Sequence, residues 1–202
     1  MPGFYADGEY DVAGFIVGAV ARDRLIDGRT ITPGDVLVGL PSTGLHTNGY
    51  SLARRIAFDI ASLRADSFVH ELGGRIGDIL LTPHRSYLPT IRPLLPSGLI
   101  KGMAHITGGG ITDNLPRILP EGTQARIDRS RWSVPPIFQW LQSTGQVPDA
   151  DMRRTFNMGI GLIIVCDARR ADEMLRALAD AGEAGAVVMG HVRSGGEGVV
   201  YA

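Results

Sequence analysis

The sequence has a single cysteine among its 202 residues, Cys166. One cysteine excludes an internal disulfide framework and a metal centre built from several cysteines. It ends the apolar run Gly161–Cys166, and a cysteine in such a run behaves as a small apolar side chain. We therefore expect a buried, inert thiol.

The sequence also lacks long apolar stretches and an excess of either charge. No stretch approaches the ~20 apolar residues of a membrane span, and no charged-then-apolar signal segment precedes the fold. Lys and Arg number 20 against 21 Asp and Glu, a formal charge of −1, whereas duplex-binding proteins usually carry a basic excess or stripe. We expect a cytoplasmic protein with no membrane or nucleic-acid partner.

Several catalytic signatures are missing as well. The sequence shows no Ser-His-Asp order, no paired-carboxylate spacing and no zinc signature. Its one run of three glycines is not followed by Lys-Ser or Lys-Thr, and it lacks the spacing of the dinucleotide-binding fingerprint. Function must therefore be sought in less familiar patterns.

Glycine is abundant, with 27 residues, and many of the glycines cluster between apolar runs. This pattern predicts an α/β (α+β layered) protein, a sheet covered by helices with its functional residues on loops. Predicted strands are Tyr10–Val20, Asp35–Leu40, Ile100–Thr107, Gly161–Cys166 and Ala186–Val192, the last followed by a glycine-rich hairpin to Val199–Tyr201. Predicted helices are Leu52–Leu63, Ser67–Leu72, Leu88–Leu95, Thr112–Leu119, Pro135–Gln142 and Ala168–Ala181.

The first predicted strand, Tyr10–Val20, has no predicted strand before it to pair with. An unpaired apolar strand is an aggregation hazard. It therefore either docks on the domain that follows or pairs in a sheet outside this sequence. Asp11, a charge inside this apolar run, is a weak candidate for a metal ligand.

The segment Pro41–Leu52 follows a predicted strand and leads into a predicted helix. Backbone N–H groups at such a turn can face an anion, and a histidine there can donate or accept a proton near neutral pH. A loop that is merely rich in small residues would have the same composition. Hydroxyl, amide and imidazole groups come from Ser42, Thr43, His46, Thr47 and Asn48.

Two further turns carry candidate binding residues. Gly108, Gly109 and Gly110 lie between a predicted strand and a helix, where glycines let the backbone approach a ligand closely. By strand alternation, His105 lies on the face opposite Ile106, where it could be merely buried. In the turn Arg153–Gly159, Asn157 could orient a ligand or only satisfy its own backbone.

Together these motifs resemble one family, phosphoribosylformylglycinamidine cyclo-ligase, also called aminoimidazole ribonucleotide synthetase. The resemblance covers nearly the whole sequence, and the joint pattern is specific although each piece alone is weak. The matching segments are Met1–Tyr5, Tyr10–Phe15, Gly44–Leu52, Ala104–Gly110, Asn114–Arg117, Pro135–Gln142 and Arg154–Gly161.

The resemblance implies an ATP-dependent ring closure in purine biosynthesis. ATP activates the formyl (amide) oxygen of formylglycinamidine ribonucleotide, the substrate's own nitrogen attacks, and ADP and phosphate leave. Mg²⁺ would manage the triphosphate charge, and donors would stabilise the activated oxygen. His46 is the implied catalytic or nucleotide-proximal residue. Implied substrate or nucleotide contacts are Thr43, Gly44, Asn48, Thr107, Gly108, Gly109, Gly110, Asn114 and Asn157.

The sequence departs from the family pattern in length. Family members have two α/β domains and form homodimers through the first. The resemblance therefore implies that residues 1–30 are a remnant of the N-terminal, ATP-binding domain with its connector, and that residues 31–202 are the C-terminal synthetase domain. The isolated chain is expected to have little or no activity. A smaller departure is His84, at a position where the family has threonine.

Two alternatives remain open from the sequence. One is another ATP-using member of the same superfamily, of the selenophosphate synthetase, thiamine-monophosphate kinase or formylglycinamidine synthetase type. The other is a non-catalytic fragment that dimerises with an intact copy.

Overall fold

The computed structural model describes Tyr10 and residues 12–202. Within this part of the chain a six-stranded sheet has the order β4-β6-β1-β7-β5-β8, and β2 and β3 form a separate ribbon. The strands are β1 Val36–Pro41, β2 Phe68–Val69, β3 Gly74–Arg75, β4 Gly102–His105, β5 Thr123–Ile127, β6 Ile160–Cys166, β7 Val187–Ser194 and β8 Val199–Tyr201.

Short helices connect and cover these strands. They are α1 Tyr50–Arg54, α2 Ile76–Leu80, α3 Leu88–Ile91, α4 Gly110–Asn114, α5 Pro136–Gly145, α6 Asp149–Thr155 and α7 Ala171–Asp180. A π-helical turn, Arg55–Ile60, continues α1, and 3₁₀ turns occupy Arg22–Arg24, His70–Leu72, Arg92–Ser97, Leu115–Ile118, Arg129–Arg131 and Ala168–Arg170. No helix among the described residues is long and apolar enough to cross a membrane.

Successive side chains of a strand point to opposite sides of the sheet, and both sides of this sheet are covered by packed apolar side chains. In β1, Leu37 packs with α4 and β5 on one face, whereas Val38 packs with α3 and α7 on the other. All seven residues of β6, between β4 and β1, are buried. The prediction of a sheet covered by helices is therefore confirmed, and Cys166 is buried as expected.

A third apolar cluster lies away from the sheet. Phe138 of α5 and Phe156, which follows α6, are fully buried there with their ring centroids 5.7 Å apart. Ala53 and Ile56 face them from α1 and its π-helical continuation. This cluster packs the segment after β1 against the segment before β6. Both segments contribute to the candidate site described below.

Several predicted elements differ in the structure. The strand β5 and the helix α6 were not predicted, and Ser67–Leu72 is a short strand followed by a 3₁₀ turn rather than a helix. The prediction that β7 and β8 form a hairpin is wrong. In the structure β8 pairs in parallel with β5 and not with β7. Local pattern could not place β8, since its partner lies more than 70 residues earlier in the sequence.

The predicted strand Tyr10–Val20 is absent from the described residues, which have no regular structure between residues 12 and 20. Phe15, Ile16 and Val17 are each at least 95% exposed. A strand forms only where its N–H and C=O groups have a partner ladder, and no strand of the described chain pairs with this segment. Asp11 lies outside the described residues.

Candidate functional site

Antiparallel pairing brings the three predicted motifs to one end of the sheet. Pro41, the last residue of β1, pairs with Ile160, the first residue of β6. On the other side of β6, His105 ends β4 opposite Leu162. The segment after β1, the glycine-rich turn after β4 and the turn before β6 therefore meet, although residues that bond there, such as Ser42 and Gly159, are up to 117 positions apart.

Asn157 ties the turn before β6 to the segment after β1. Its amide nitrogen donates to the Gly44 carbonyl oxygen at 2.8 Å, and its side-chain oxygen accepts from the Ser42 hydroxyl at 2.9 Å. The same oxygen accepts from Gly159 N–H at 2.8 Å. Asn157 is buried, so its polar groups are used within the protein.

Asn114 plays the corresponding part in the glycine-rich turn. Its amide nitrogen donates to the carbonyl oxygens of Gly108 and Gly110 at 3.1 and 2.8 Å, and its oxygen accepts from the Thr107 hydroxyl at 3.1 Å. Gly110 has φ +59°, and a Cβ built there would lie 1.9 Å from the Arg153 carbonyl oxygen. This close approach of two backbones requires glycine.

The two loops touch at Asn48 and Gly108. A Cβ built on Gly108 would lie 3.4 Å from the Asn48 side-chain oxygen, and no positive φ is involved. Asn48 is half-buried, and its one described side-chain hydrogen bond is a long 3.5 Å contact with the Thr47 hydroxyl. Thr43 donates its hydroxyl to the Pro83 carbonyl oxygen at 2.9 Å. Asn48 and Gly108 thus have polar groups and space at the surface of the site.

His46 is buried in a left-handed backbone conformation with φ 60°, which is uncommon for a residue other than glycine. Its Nε2 accepts from Thr43 N–H at 3.1 Å, whereas its Nδ1 is buried and has no described partner. Because Nε2 accepts, the proton of the neutral ring lies on Nδ1. Burial, followed by the influence of His84, His105 and Arg85, lowers the pKa of His46 to about 4.

Two further histidines complete this end of the site. The His84 ring centroid lies 3.9 Å from that of His46, and His84 Nε2 lies 3.0 Å from His105 Nε2. His105 is exposed rather than buried, while Ile106 beside it is buried. Burial lowers the pKa of His105, and the neighbouring His84 lowers it further.

The segment around His84 fixes the end of β1. Tyr87 donates its hydroxyl to the Pro41 carbonyl oxygen at 2.8 Å, and Arg85 donates to the same oxygen at 3.2 Å. Arg85 also pairs with Glu183, which is buried. Sequence reasoning missed these roles, because the only signal was a His-Arg-Ser-Tyr run with no catalytic spacing.

The structure therefore brings together every described residue of the predicted site. Within it, Asn114 and Asn157 bond to the loops, and His46, Asn48 and Gly108 leave polar groups or space open. A separate cavity of about 470 Å³ contains none of the predicted residues. Its lining includes Trp132, Asp149, Arg153 and Tyr201, and the Arg153 guanidinium lies 4.7 Å from the Tyr201 ring centroid.

The three-loop site does not suit Mg²⁺. Magnesium prefers carboxylate, phosphate and water oxygens. Among the described residues, the one cluster of three or more suitable side chains is His46, His84 and His105, and imidazole nitrogens are poor magnesium ligands.

Solved structures define the class of fold. The chain is similar to a thiamine-monophosphate kinase from Stenotrophomonas maltophilia K279a, with 17% identity and TM-score 0.58, over 90% of this chain and 54% of that one. It is also similar to E. coli HypE, a hydrogenase maturation protein, with 21% identity and TM-score 0.54, over 87% of this chain and 48% of that one. A HypE structure in complex with ATP matches with 18% identity and TM-score 0.56, over 91% of this chain and 52% of that one. At these identities the likeness shows the fold.

The family follows from sequence. The profile of "AIR synthase related protein, C-terminal domain" matches residues 32–202, and the chain belongs to this family. It is 51% identical to phosphoribosylformylglycinamidine cyclo-ligase of Desulfitobacterium hafniense over 201 residues, which is 100% of this chain and 58% of the relative. The enzyme of the same name from Cupriavidus pinatubonensis is 48% identical over 98% of this chain and 55% of its own length. The chain thus spans just over half of these relatives.

Proposed function

We propose that this chain supplies the C-terminal domain of an ATP-dependent cyclo-ligase that closes the imidazole ring of formylglycinamidine ribonucleotide to give aminoimidazole ribonucleotide. The observation that carries the proposal is the 51% identity to a named cyclo-ligase over 201 residues. The convergence of the three motif loops at one end of the sheet supports it, since the residues with open groups face one another there. Structural likeness to a kinase at 17% identity does not favour phosphorylation of a thiamine-type substrate.

In this proposal His46 holds the substrate oxygen that becomes activated. Its buried Nδ1–H has no described partner, and a donor already oriented in a water-poor site stabilises developing negative charge without reorganisation. The low pKa keeps the ring neutral near pH 7, so His46 acts as a hydrogen-bond donor and not as a cation.

The other predicted residues divide between contact and support. Asn48, Thr43 and Gly108 would contact substrate or nucleotide, with Gly109 and the neighbouring backbone approaching phosphate. Asn114 and Asn157 would position the loops, because their amides are already bonded to loop backbone. Gly44, Thr107 and Gly110 would shape the same turns.

The proposal extends to the complete enzyme. Residues 1–30 would belong to the N-terminal, ATP-binding and dimerising domain, and the exposed Phe15, Ile16 and Val17 support this because they present apolar surface for another sheet. ATP and Mg²⁺ would be used by the complete homodimer in the cytoplasm, with metal ligands outside the described residues.

A chimera tests this proposal. The N-terminal part of the Desulfitobacterium hafniense relative, ending where its alignment with this chain begins, is fused ahead of residues 1–202. We expect formation of the aminoimidazole product with one ADP per ring closed, and little or no turnover by the 202-residue chain alone. His46→Gln should abolish most of the chimera's turnover, whereas His70→Gln, an exposed histidine outside the site, should retain it. A folded, dimeric chimera without cyclisation would contradict the proposal.

A further inference from the structure

Three of the five histidines in the sequence form a cluster. One ring nitrogen from each of His46, His84 and His105 lies within 4.8 Å of the others. Elsewhere in the described part of the chain, no three His, Cys, Asp or Glu side chains come together in this way. The two remaining histidines, His70 and His191, are exposed and lie outside the cluster.

The contacts of His84 leave one of its nitrogens available for a metal. Its Nδ1 lies 2.6 Å from the Arg85 carbonyl oxygen, and a carbonyl can only accept, so Nδ1 carries the proton. The Nε2 lone pair accepts from His105 Nε2–H at 3.0 Å and becomes available to a metal when the His105 proton moves to its own Nδ1. Histidines that bind metals commonly donate their other N–H to a backbone carbonyl in this way.

The spacing of His84 and His105 also fits a shared ion. Their Nε2 atoms are 3.0 Å apart, and two nitrogens on one zinc ion, each about 2.0–2.1 Å from it, lie roughly 3.0–3.4 Å apart. His105 is exposed, so its ring is free to adjust and the site has an entry path from solvent.

His46 provides an independent reason to expect a ligand here. One of its ring nitrogens belongs to the cluster, and its Nδ1 is buried and has no described partner. Ligation through Nδ1 would move the ring proton from Nδ1 to Nε2, with no net change in charge. The hydrogen bond from Thr43 N–H to Nε2 would then end, and Thr43 is exposed enough for its N–H to turn to water.

We propose that His84 Nε2, His105 Nε2 and His46 Nδ1 bind one divalent first-row transition-metal ion of the zinc class, with a remaining coordination position open to solvent. Imidazole suits Zn²⁺, Ni²⁺ and Cu²⁺, whereas Mg²⁺ and Ca²⁺ prefer oxygen ligands. This proposal does not rest on the cyclisation proposed above, although the two sites share His46. A bound metal would occupy the His46 nitrogen that is proposed to hold the substrate, and would therefore inhibit the complete enzyme.

Binding of Zn²⁺ to the untagged 202-residue chain tests the proposal by calorimetry and equilibrium dialysis. We expect one ion per chain, with no comparable binding of Mg²⁺. His84→Gln and His105→Gln should each weaken Zn²⁺ binding at least about tenfold, because each removes a ligand. His70→Gln and His191→Gln are matched controls that should leave the affinity unchanged.

Each alternative outcome would overturn the proposal. Equal loss in the two control variants would show non-specific histidine binding, and unchanged affinity in the His84 and His105 variants would place the ion elsewhere. For His46, the Thr43 amide signal in nuclear magnetic resonance gives a readout without mutation. It should shift on addition of one equivalent of Zn²⁺, and a Thr43 amide unchanged at saturation would exclude His46 as the third ligand.

Discussion

Asn157 fixes the position of Gly44 through a 2.8 Å hydrogen bond from its amide nitrogen to the Gly44 carbonyl oxygen. The two residues are 113 positions apart in the sequence. This bond, with the one between Ser42 and the Asn157 oxygen, determines where the segment that carries His46 lies relative to β6.

Replacing Asn157 by alanine should lower the free energy of unfolding by about 3 kcal/mol or more. The buried Gly44 carbonyl and Gly159 N–H would lose their partner, and each such unsatisfied group costs about 1–3 kcal/mol. The half-buried Ser42 hydroxyl would lose its acceptor as well. Urea denaturation followed by circular dichroism measures the change.

Asn48→Ala is the matched control for this prediction. Among the described residues, Asn48 makes one side-chain hydrogen bond, a long contact with Thr47. The substitution should therefore change stability by less than about 0.5 kcal/mol, while it reduces turnover of the chimera. Equal destabilisation by the two variants would contradict the distinction between a positioning amide and a contact amide.

Gly110→Ala should destabilise the fold by at least about 3 kcal/mol. The new Cβ would meet the Arg153 carbonyl oxygen at 1.9 Å in a backbone with φ +59°, which adds strain to overpacking. Gly108→Ala, where the nearest atom is 3.4 Å away, should cost less than about 1 kcal/mol. Thermal unfolding of both variants decides the point, and a stable Gly110→Ala protein would refute it.

Stability should fall in mild acid because of His46. Its pKa is about 4 in the folded chain and about 6.5 when unfolded, so the unfolded state binds the proton more tightly. The stabilisation is present above pH 6.5 and is lost as the pH falls towards 4, with a total on the order of 3 kcal/mol. The measurement is the free energy of unfolding at pH 7.5 and 4.5 with a chelator present.

The pH dependence should be smaller in His46→Asn than in the original chain. His191→Asn, a change at an exposed strand position, should keep the original dependence. If the His46 variant shows the same loss of stability between pH 7.5 and 4.5, another group is responsible.

Cys166 should resist thiol reagents in the folded chain. It is fully buried, and burial together with Asp35 and Asp167 raises its pKa to about 11. Since the thiolate is the reactive form, Ellman's reagent at pH 8 should give no fast reaction in buffer and one thiol per chain in urea. Rapid labelling without denaturant would show that β6 opens readily.

Phe15→Ser should affect the isolated chain and the chimera differently. Phe15 is 99% exposed here, so the change should leave the melting temperature of the 202-residue chain within about 1 °C. In the chimera the same change should weaken dimerisation or lower the melting temperature, because the side chain would be buried in the N-terminal domain. Ala21→Ser, at an exposed position just beyond the segment, is the control. An unaffected chimera would contradict the assignment of residues 1–30 to that domain.

Elements whose apolar pattern and end residues lie within the element itself were predicted well from sequence. The apolar run of β6 and the helix α7, with Asp167 accepting from Arg169 N–H before it and Gly182 at positive φ after it, follow from burial and capping rules. The short strand β5 and the pairing of β8 were missed. Their stability comes from partners distant in sequence, which no local pattern records.

The sequence by itself determined the α/β class, the family and the three motifs at which function should be sought, because glycine turns and apolar runs act locally. Only the tertiary structure decided how those motifs are used. Antiparallel register places the loops beside one another. In the resulting arrangement the Asn114 and Asn157 amides bond to loop backbone, while the buried His46 Nδ1 has no partner among the described residues. The grouping of His84 and His105 with His46 likewise depends on contacts between segments 21 or more residues apart, which exist only when the sheet has formed.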